Sequence, residues 1–268
     1  MRAALTYSGQ PRDIDKTWLN HKKYLIEPLK QQGFSVDLFC HFWFDEREVG
    51  KDYIEGSYLI GKVKDSTEYV KKVIKPLSLS FEKPLTFHDI KLSPDERFPH
   101  PIDRTLSMFK SWEKVSDQLA SCENTNNFIY DLVFRLRSDL VFHKKFSDVK
   151  SFDFDNVYVL NKFAHLDYGV DDTFAFSNSH NMKSYLNIYN NLNELAVLGA
   201  AINPETLLGF YLKNHLNLNV KKLNSDIKLF RVSYLRFSKF KPVGQLFRFL
   251  NNRVLYLKFR LKKLLNKS

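Results

Sequence analysis

The sequence predicts an α/β protein built on a mostly parallel, mixed sheet flanked by helices. Three observations predict it. Apolar runs of strand length recur along the chain, segments with helical spacing of apolar residues alternate with them, and the chain opens as strand, helix, strand. At 268 residues and 44% hydrophobic composition, the chain is long enough for one large domain, or a domain with an appendage.

Taken in order, residues 2–7 read as a strand and Ser8-Gly9-Gln10-Pro11-Arg12 as a loop. Asp13 or Asp15 is placed to cap a helix that runs to about Gln32 and ends at Gly33. Val36 to Trp43 is a second, mostly apolar strand. A helix over 64–77 follows, with Tyr69, Val70, Val73 and Ile74 inward, and then a short strand to Phe81. Residues 82–103 read as loop, broken by Pro84, Pro94, Pro99 and Pro101. Thr105 to Leu119 has the apolar spacing of an amphipathic helix, and residues 121–127 read as a polar loop. The run from Tyr130 to Phe142 begins as a buried strand. Further strands are expected at 156–160, 173–176 and 220–223, and helices at 182–192 and 204–214.

The net charge of +11 is unevenly spread. Residues 227–268 contain 12 basic and no acidic residues, which leaves 29 basic against 30 acidic residues in 1–226. This predicts two parts: a near-neutral domain over 1–226 and a cationic tail over 227–268. In the tail, Val243, Leu246, Phe247, Leu250, Val254, Leu257, Leu261 and Leu264 recur at three- and four-residue steps beside Arg and Lys. That pattern predicts a basic amphipathic helix suited to an anionic membrane surface; the competing reading is a terminal helix packed on the body. The two cysteines, Cys40 and Cys122, form no CxxC and have no histidine at ligand spacing, which argues against a zinc site or a disulfide framework. No secretory leader and no spanning segment is evident, so a cytoplasmic protein, peripheral on the inner face of the cell membrane, is expected.

The strongest chemical signal is Arg135-Leu136-Arg137-Ser138-Asp139, at the end of an apolar strand. Three charges at alternate positions lie on one side of an extended chain. Ligands of open α/β sheets bind beyond the carboxyl ends of strands, where two guanidiniums hold a diphosphate and a carboxylate meets a divalent cation or a ribose. The alternative is a salt-bridge cluster in which Asp139 neutralises an arginine.

Together with Thr6 to Arg12 after the first strand and Ser107-Met108-Phe109-Lys110-Ser111-Trp112 on a helix, the run Tyr130 to Asp139 resembles a group of bacterial glycosyltransferases. These are GT-A-type enzymes of lipopolysaccharide and capsule biosynthesis, similar to the WavE-like lipopolysaccharide-core proteins. The resemblance covers roughly residues 2–225. It implies a GT-A-like single Rossmann-type domain that moves a sugar from a nucleotide-sugar donor to a growing lipopolysaccharide, O-antigen or capsule glycan, on a lipid-linked or oligosaccharide acceptor. In that group the Arg-x-Arg-x-Asp segment stands where other GT-A enzymes carry Asp-x-Asp. Arg137 takes the first acidic position here, so Asp139 is the candidate ligand for Mn²⁺ or Mg²⁺, and metal-independent transfer stays open.

Ser8, Gly9, Gln10 and Arg12 join Arg135, Arg137 and Asp139 as candidate donor-binding residues, because a nucleotide lies after the first strand of such folds and Gly9 lets backbone approach it. A hexosyltransferase-like, inverting reaction is expected, and it needs a carboxylate to take the acceptor's proton. Asp172 and Glu205 are the candidates, with helix-dipole and turn roles as their competing readings. His165 and Asp171 are candidates for the acceptor side. Two other functions are weighed. A nucleic-acid-binding protein would use the basic, aromatic tail, but the near-neutral body lacks any RRM, KH or helix-turn-helix pattern, and no nucleic acid is expected. A sugar nucleotidyltransferase would need a loop richer in glycine than Ser8 to Arg12.

Overall fold

The computed structural model describes residues 1–44, 52–55, 58–83, 87, 92–94, 102–163, 166, 168–230 and 232–233. Arg2–Gly9 (β1) is apolar and buried over most of its length. Ile14–His21 (α1) passes into a π-helical turn at Lys22–Ile26 and a last stretch, Glu27–Gln31 (α2), before Gly33 at φ +88° turns the chain. Ser35–Trp43 (β2) then runs parallel to β1, with Arg2 opposite Ser35 and Gly9 opposite Phe42. Asp52–Glu55 (β3) and Tyr58–Lys62 (β4) come next. Val63–Tyr69 (α3) leads through a π-helical turn to Ser78–Glu82 (β5), parallel to β2.

Within the proline-rich segment read as loop, Ser93–Pro94 (β6) forms a two-residue pairing. Ile102–Asn126 (α4) is longer than its apolar spacing predicts. The polar residues after Leu119 stay helical because Glu123 is buried and partnered: it accepts from the Tyr130 amide at 3.0 Å, from Ser179 Oγ at 2.5 Å and from Lys183 Nζ at 2.6 Å. Leu132–Leu136 (β7), Leu140–Phe142 (β8), Val157–Leu160 (β9) and Phe174–Ser177 (β10) follow. Ser179–Leu186 (α5) is capped by the Asn178 side chain, and Leu192–Val197 (α6) comes after a 3₁₀ turn. Ala201–Ile202 (β11) pairs with β6. Pro204–Phe210 (α7) starts with Asn203 accepting from the Thr206 amide. Val220–Leu223 (β12), Ile227–Leu229 (β13) and Val232–Ser233 (β14) close the described chain.

The main sheet has seven strands in the order β12-β9-β10-β7-β1-β2-β5. Strand β7 lies parallel to β1, β10 runs antiparallel to both β7 and β9, and β12 runs parallel to β9. The expected α/β architecture with a mostly parallel, mixed, helix-flanked sheet is therefore present, and β10 alone opposes its neighbours. Alternation along the strands splits the core in two. Ala4, Phe39, Val133 and Ala175 face α4 and α5 with Phe109, Trp112 and Tyr185. Ala3, Leu5, Tyr7, Cys40, Phe42, Phe134, Phe174 and Phe176 face α1 and α2 with Trp18, Leu25 and Leu29.

The chain divides into two compact units, residues 1–51 with 62–230 and residues 52–61 with 231–268. The first holds the main sheet, and Ile227–Leu229 pairs there with β8, so regular structure continues past Asp226. In the second, β14 pairs antiparallel with β4. The amphipathic helix expected over 243–264 lies outside the described residues. Among the described residues no helix is long and apolar enough to cross a membrane.

Candidate functional site

Because β1, β2, β5 and β7 run parallel, their carboxyl ends share one edge of the sheet. Strand β10 runs the other way and brings its amino end, preceded by Asp171-Asp172-Thr173, to that same edge. Local bonds tie the segments together. Ser138 Oγ donates to the Gln10 carbonyl at 3.1 Å, and the Arg137 amide donates to the Thr173 carbonyl at 3.1 Å. The Val170 amide donates to the Glu205 carbonyl at 3.1 Å, which anchors the start of α7 to the acidic segment. The four stretches singled out in the sequence thus converge: Ser8 to Arg12, Arg135 to Asp139, Asp171-Asp172, and Glu205. His165 lies outside the described residues.

The loop after β1 is held from behind. Gly9 sits at φ +102°, a backbone conformation that favours glycine, and its amide donates to Ser111 Oγ at 2.7 Å. His41 Nδ1 lies 2.7 Å from the same oxygen. Arg12 Nε donates to Gln10 Oε1 at 3.1 Å. Asp13 begins the helix from the left-handed region at φ 44°, with its carboxylate on Lys16 rather than on the helix amides. Thr17 Oγ1 donates to the Ser138 carbonyl at 2.6 Å and so reaches the second segment from α1. Ser111, His41, Asp13 and Thr17 are absent from the sequence-derived set.

The three charges of the Arg-x-Arg-x-Asp segment do not share one side of an extended chain. The strand ends at Leu136, and Arg137, Ser138 and Asp139 turn. Arg135 points from β7 toward α4 and is 1% exposed, with its guanidinium carbon 4.5 Å from the centroid of the Trp112 ring. Trp112 in turn stacks on Tyr185 at 5.2 Å. Nε and Nη1 of Arg135 have no hydrogen-bond partner among the described residues, and burial pulls its pKa down. Arg137 instead forms a bidentate pair with Asp139, Nε to Oδ1 at 2.9 Å and Nη2 to Oδ2 at 2.8 Å. Both oxygens of the candidate metal ligand are therefore directed at a guanidinium. Among the described residues no three His, Cys, Asp or Glu side chains are placed to share a metal ion.

The carboxylates differ in environment. Asp171 is built into the fold: Oδ1 accepts from the Thr173 amide at 2.9 Å, from Thr173 Oγ1 and from the Phe174 amide at 3.2 Å, while Oδ2 lies 3.3 Å from Lys162 Nζ. Asp172 is buried. Burial pushes its carboxyl up, and Arg135 and then Arg137 pull it back. Glu205 is half-buried and pushed up to about 7, first by burial and then by the charge of Asp172. A carboxyl pushed up toward neutrality, at the carboxyl edge of a parallel sheet, has the chemistry of a general acid or base. Compared with the models of known protein families and with curated proteins, this chain matches none.

Proposed function

We propose that the chain is a glycosyltransferase with a GT-A-like domain, moving a sugar from a nucleotide-sugar donor to a growing lipopolysaccharide, O-antigen or capsule glycan. The observation that carries this reading is the meeting, at one sheet edge, of the Gly9 loop, the Arg137 turn and the Asp172–Glu205 carboxyl pair. The donor diphosphate lies against the loop and the two flanking guanidiniums, Arg12 and Arg137, which offset the negative charge that grows on the leaving group. Glu205 or Asp172 takes the proton of the acceptor hydroxyl. That oxygen bonds to the anomeric carbon as the bond from the carbon to the diphosphate breaks, which inverts the configuration.

The same reading gives the basic tail a task. An acceptor carried on lipid sits at an anionic surface, and a basic amphipathic helix would hold the enzyme there. Sugar transfer or slow donor hydrolysis by the purified protein, assayed with Asp172→Asn and Glu205→Gln, tests the reading. Loss of about 10²–10⁴-fold in at least one variant with unchanged melting supports it. Full activity in both removes the proposed base.

A further inference from the structure

Helix α4 is docked on the sheet by bonds that do not involve Ser111. Trp43 Nε1 donates to the Ser107 carbonyl at 2.9 Å, and Gln118 Nε2 donates to the Cys40 carbonyl at 3.2 Å and to Ser80 Oγ at 2.8 Å. Ser111 lies between these anchors, is fully buried, and turns its hydroxyl to the loop after β1. Its oxygen meets three groups: the Gly9 amide at 2.7 Å, His41 Nδ1 at 2.7 Å and the His41 carbonyl at 3.1 Å. A hydroxyl donates once and accepts twice, an amide N–H only donates, and a carbonyl only accepts. All three contacts are hydrogen bonds only when Nδ1 carries the His41 proton. The Ser111 oxygen then accepts from Gly9 and from Nδ1 and donates to the carbonyl. His41 is fully buried and stands perpendicular to the Trp43 ring, with centroids 4.8 Å apart. Its Nε2 lies 3.6 Å from Glu82 Oε1, an oxygen that Lys114 Nζ approaches at 3.1 Å.

The bond to Gly9 reaches beyond that residue. Gly9 sits at φ +102°, and the Gln10 carbonyl that follows accepts from the Arg12 amide at 2.8 Å and from Ser138 Oγ at 3.1 Å. A chain of contacts thus runs from β2 through α4 and the loop to the Arg137 turn. We propose that Ser111 and His41 are positioning residues for the loop that receives the donor: they hold the Gly9 peptide, and through it Gln10 and the Arg137 turn, in the ligand-ready arrangement before the donor arrives. The proposal rests on the reading of this edge as the donor site. Both residues act through Gly9. Without the hydroxyl the Gly9 amide loses its acceptor, the loop spreads over several arrangements, and apparent affinity falls with the fraction that stays competent. A bound donor restores the arrangement, so the saturated site keeps its rate.

Two readouts on the full-length protein test this. In ¹H–¹⁵N spectra recorded without ligand, Ser111→Ala should move the Gly9 amide proton upfield, because a short N–H···O bond is lost. His41→Asn, which places an amide nitrogen near the position of Nδ1, should leave that resonance close to its original place. His41→Gln, which places the nitrogen nearer Nε2, should move it. In the transfer or donor-hydrolysis assay, Ser111→Ala and His41→Gln should raise the donor KM about tenfold and keep kcat within about twofold, as one lost hydrogen bond in the free enzyme implies. The other bonds of α4 keep the helix in place in these variants. If Ser111→Ala nonetheless fails to fold, the two His41 variants decide, and equal behaviour of the two overturns the proposal. A Gly9 resonance unmoved in folded Ser111→Ala overturns it, and so does a moved resonance with an unchanged donor KM. An unaltered protein that binds no nucleotide sugar removes the donor reading and this proposal together, whereas nucleotide-sugar binding that is indifferent to Ser111 removes this proposal alone.

Discussion

Arg137 closes a two-bond fork on Asp139 two residues along the chain, at 2.9 and 2.8 Å, and this pair sets the turn at the end of β7. The Asp139 carboxylate is fully buried, whereas the Arg137 side chain keeps 19% exposure. Asp139→Asn turns one of the two bonds into a clash of donors. The variant should lose about 1–3 kcal/mol of stability in urea unfolding, together with most of its transferase activity. Normal unfolding with near-normal turnover would show that the pair serves neither the turn nor the donor.

Glu205 should govern the pH dependence. Its carboxyl is pushed up to about 7, so the folded chain holds the proton more tightly than the unfolded chain does. Stability from this group is full below the ordinary glutamate value and is lost as pH rises through about 7. Relative to Glu205→Gln, the unaltered protein should therefore melt at progressively lower temperature from about pH 5 to about pH 8. Its turnover should rise with pH with a midpoint near 7, since the ionised form is the base. A pH–rate profile flat across that range contradicts the assignment.

Gly209 holds the acidic segment close to α7. A Cβ built there would lie 1.5 Å from the Tyr168 carbonyl oxygen, which is backbone and must move. Gly209→Ala should cost about 1–3 kcal/mol and lower turnover as well, because the displaced segment leads directly into Asp171 and Asp172. Differential scanning calorimetry beside the transfer assay checks both effects. A variant as stable and active as the original would mean that the contact carries no constraint.

Strand positions were largely legible in the sequence because buried strands are runs of apolar residues. The carboxyl-edge placement followed from the strand–helix–strand opening. The antiparallel sense of β10 was not legible, since the apolar run Phe174 to Phe176 reads alike in either direction. The Arg-x-Arg-x-Asp spacing suggested one charged face, but alternation holds only while the chain stays extended, and the chain turns after Leu136. That turn is also tied to a distant part of the chain, by a bond from Thr17, 121 residues away. Ser111 and His41 were missed for the same reason: a serine within an amphipathic helix gives no local sign that it will meet Gly9. The sequence suggests the acceptor side for Asp171, and in the fold its Oδ1 secures the entry to β10.

The charge asymmetry gives a prediction of its own. Residues 227–268 carry 12 basic residues and no acidic ones. A chain ending at Phe230 keeps the Ile227–Leu229 strand paired with β8 and loses most of the basic residues. The full-length protein should sediment with vesicles containing phosphatidylglycerol, and the shortened chain should not. Each basic residue near the surface contributes about 1 kcal/mol, and added salt should weaken the binding without abolishing it. Equal sedimentation of the two chains, or preference of the full-length protein for single-stranded RNA over vesicles, argues against the membrane role.

The central claim is a nucleotide-sugar site at the carboxyl edge of the sheet, and a thermal-shift screen over nucleotide sugars, with and without Mn²⁺, tests it most directly. A ligand bound only by the folded state raises the melting temperature by mass action, by about 2.7 kcal/mol of stability at a hundredfold excess over Kd. The account predicts that at least one nucleotide sugar stabilises the protein and that the shift is lost in Arg137→Ala. A screen in which no nucleotide sugar moves the melting temperature, with or without the metal, would contradict it.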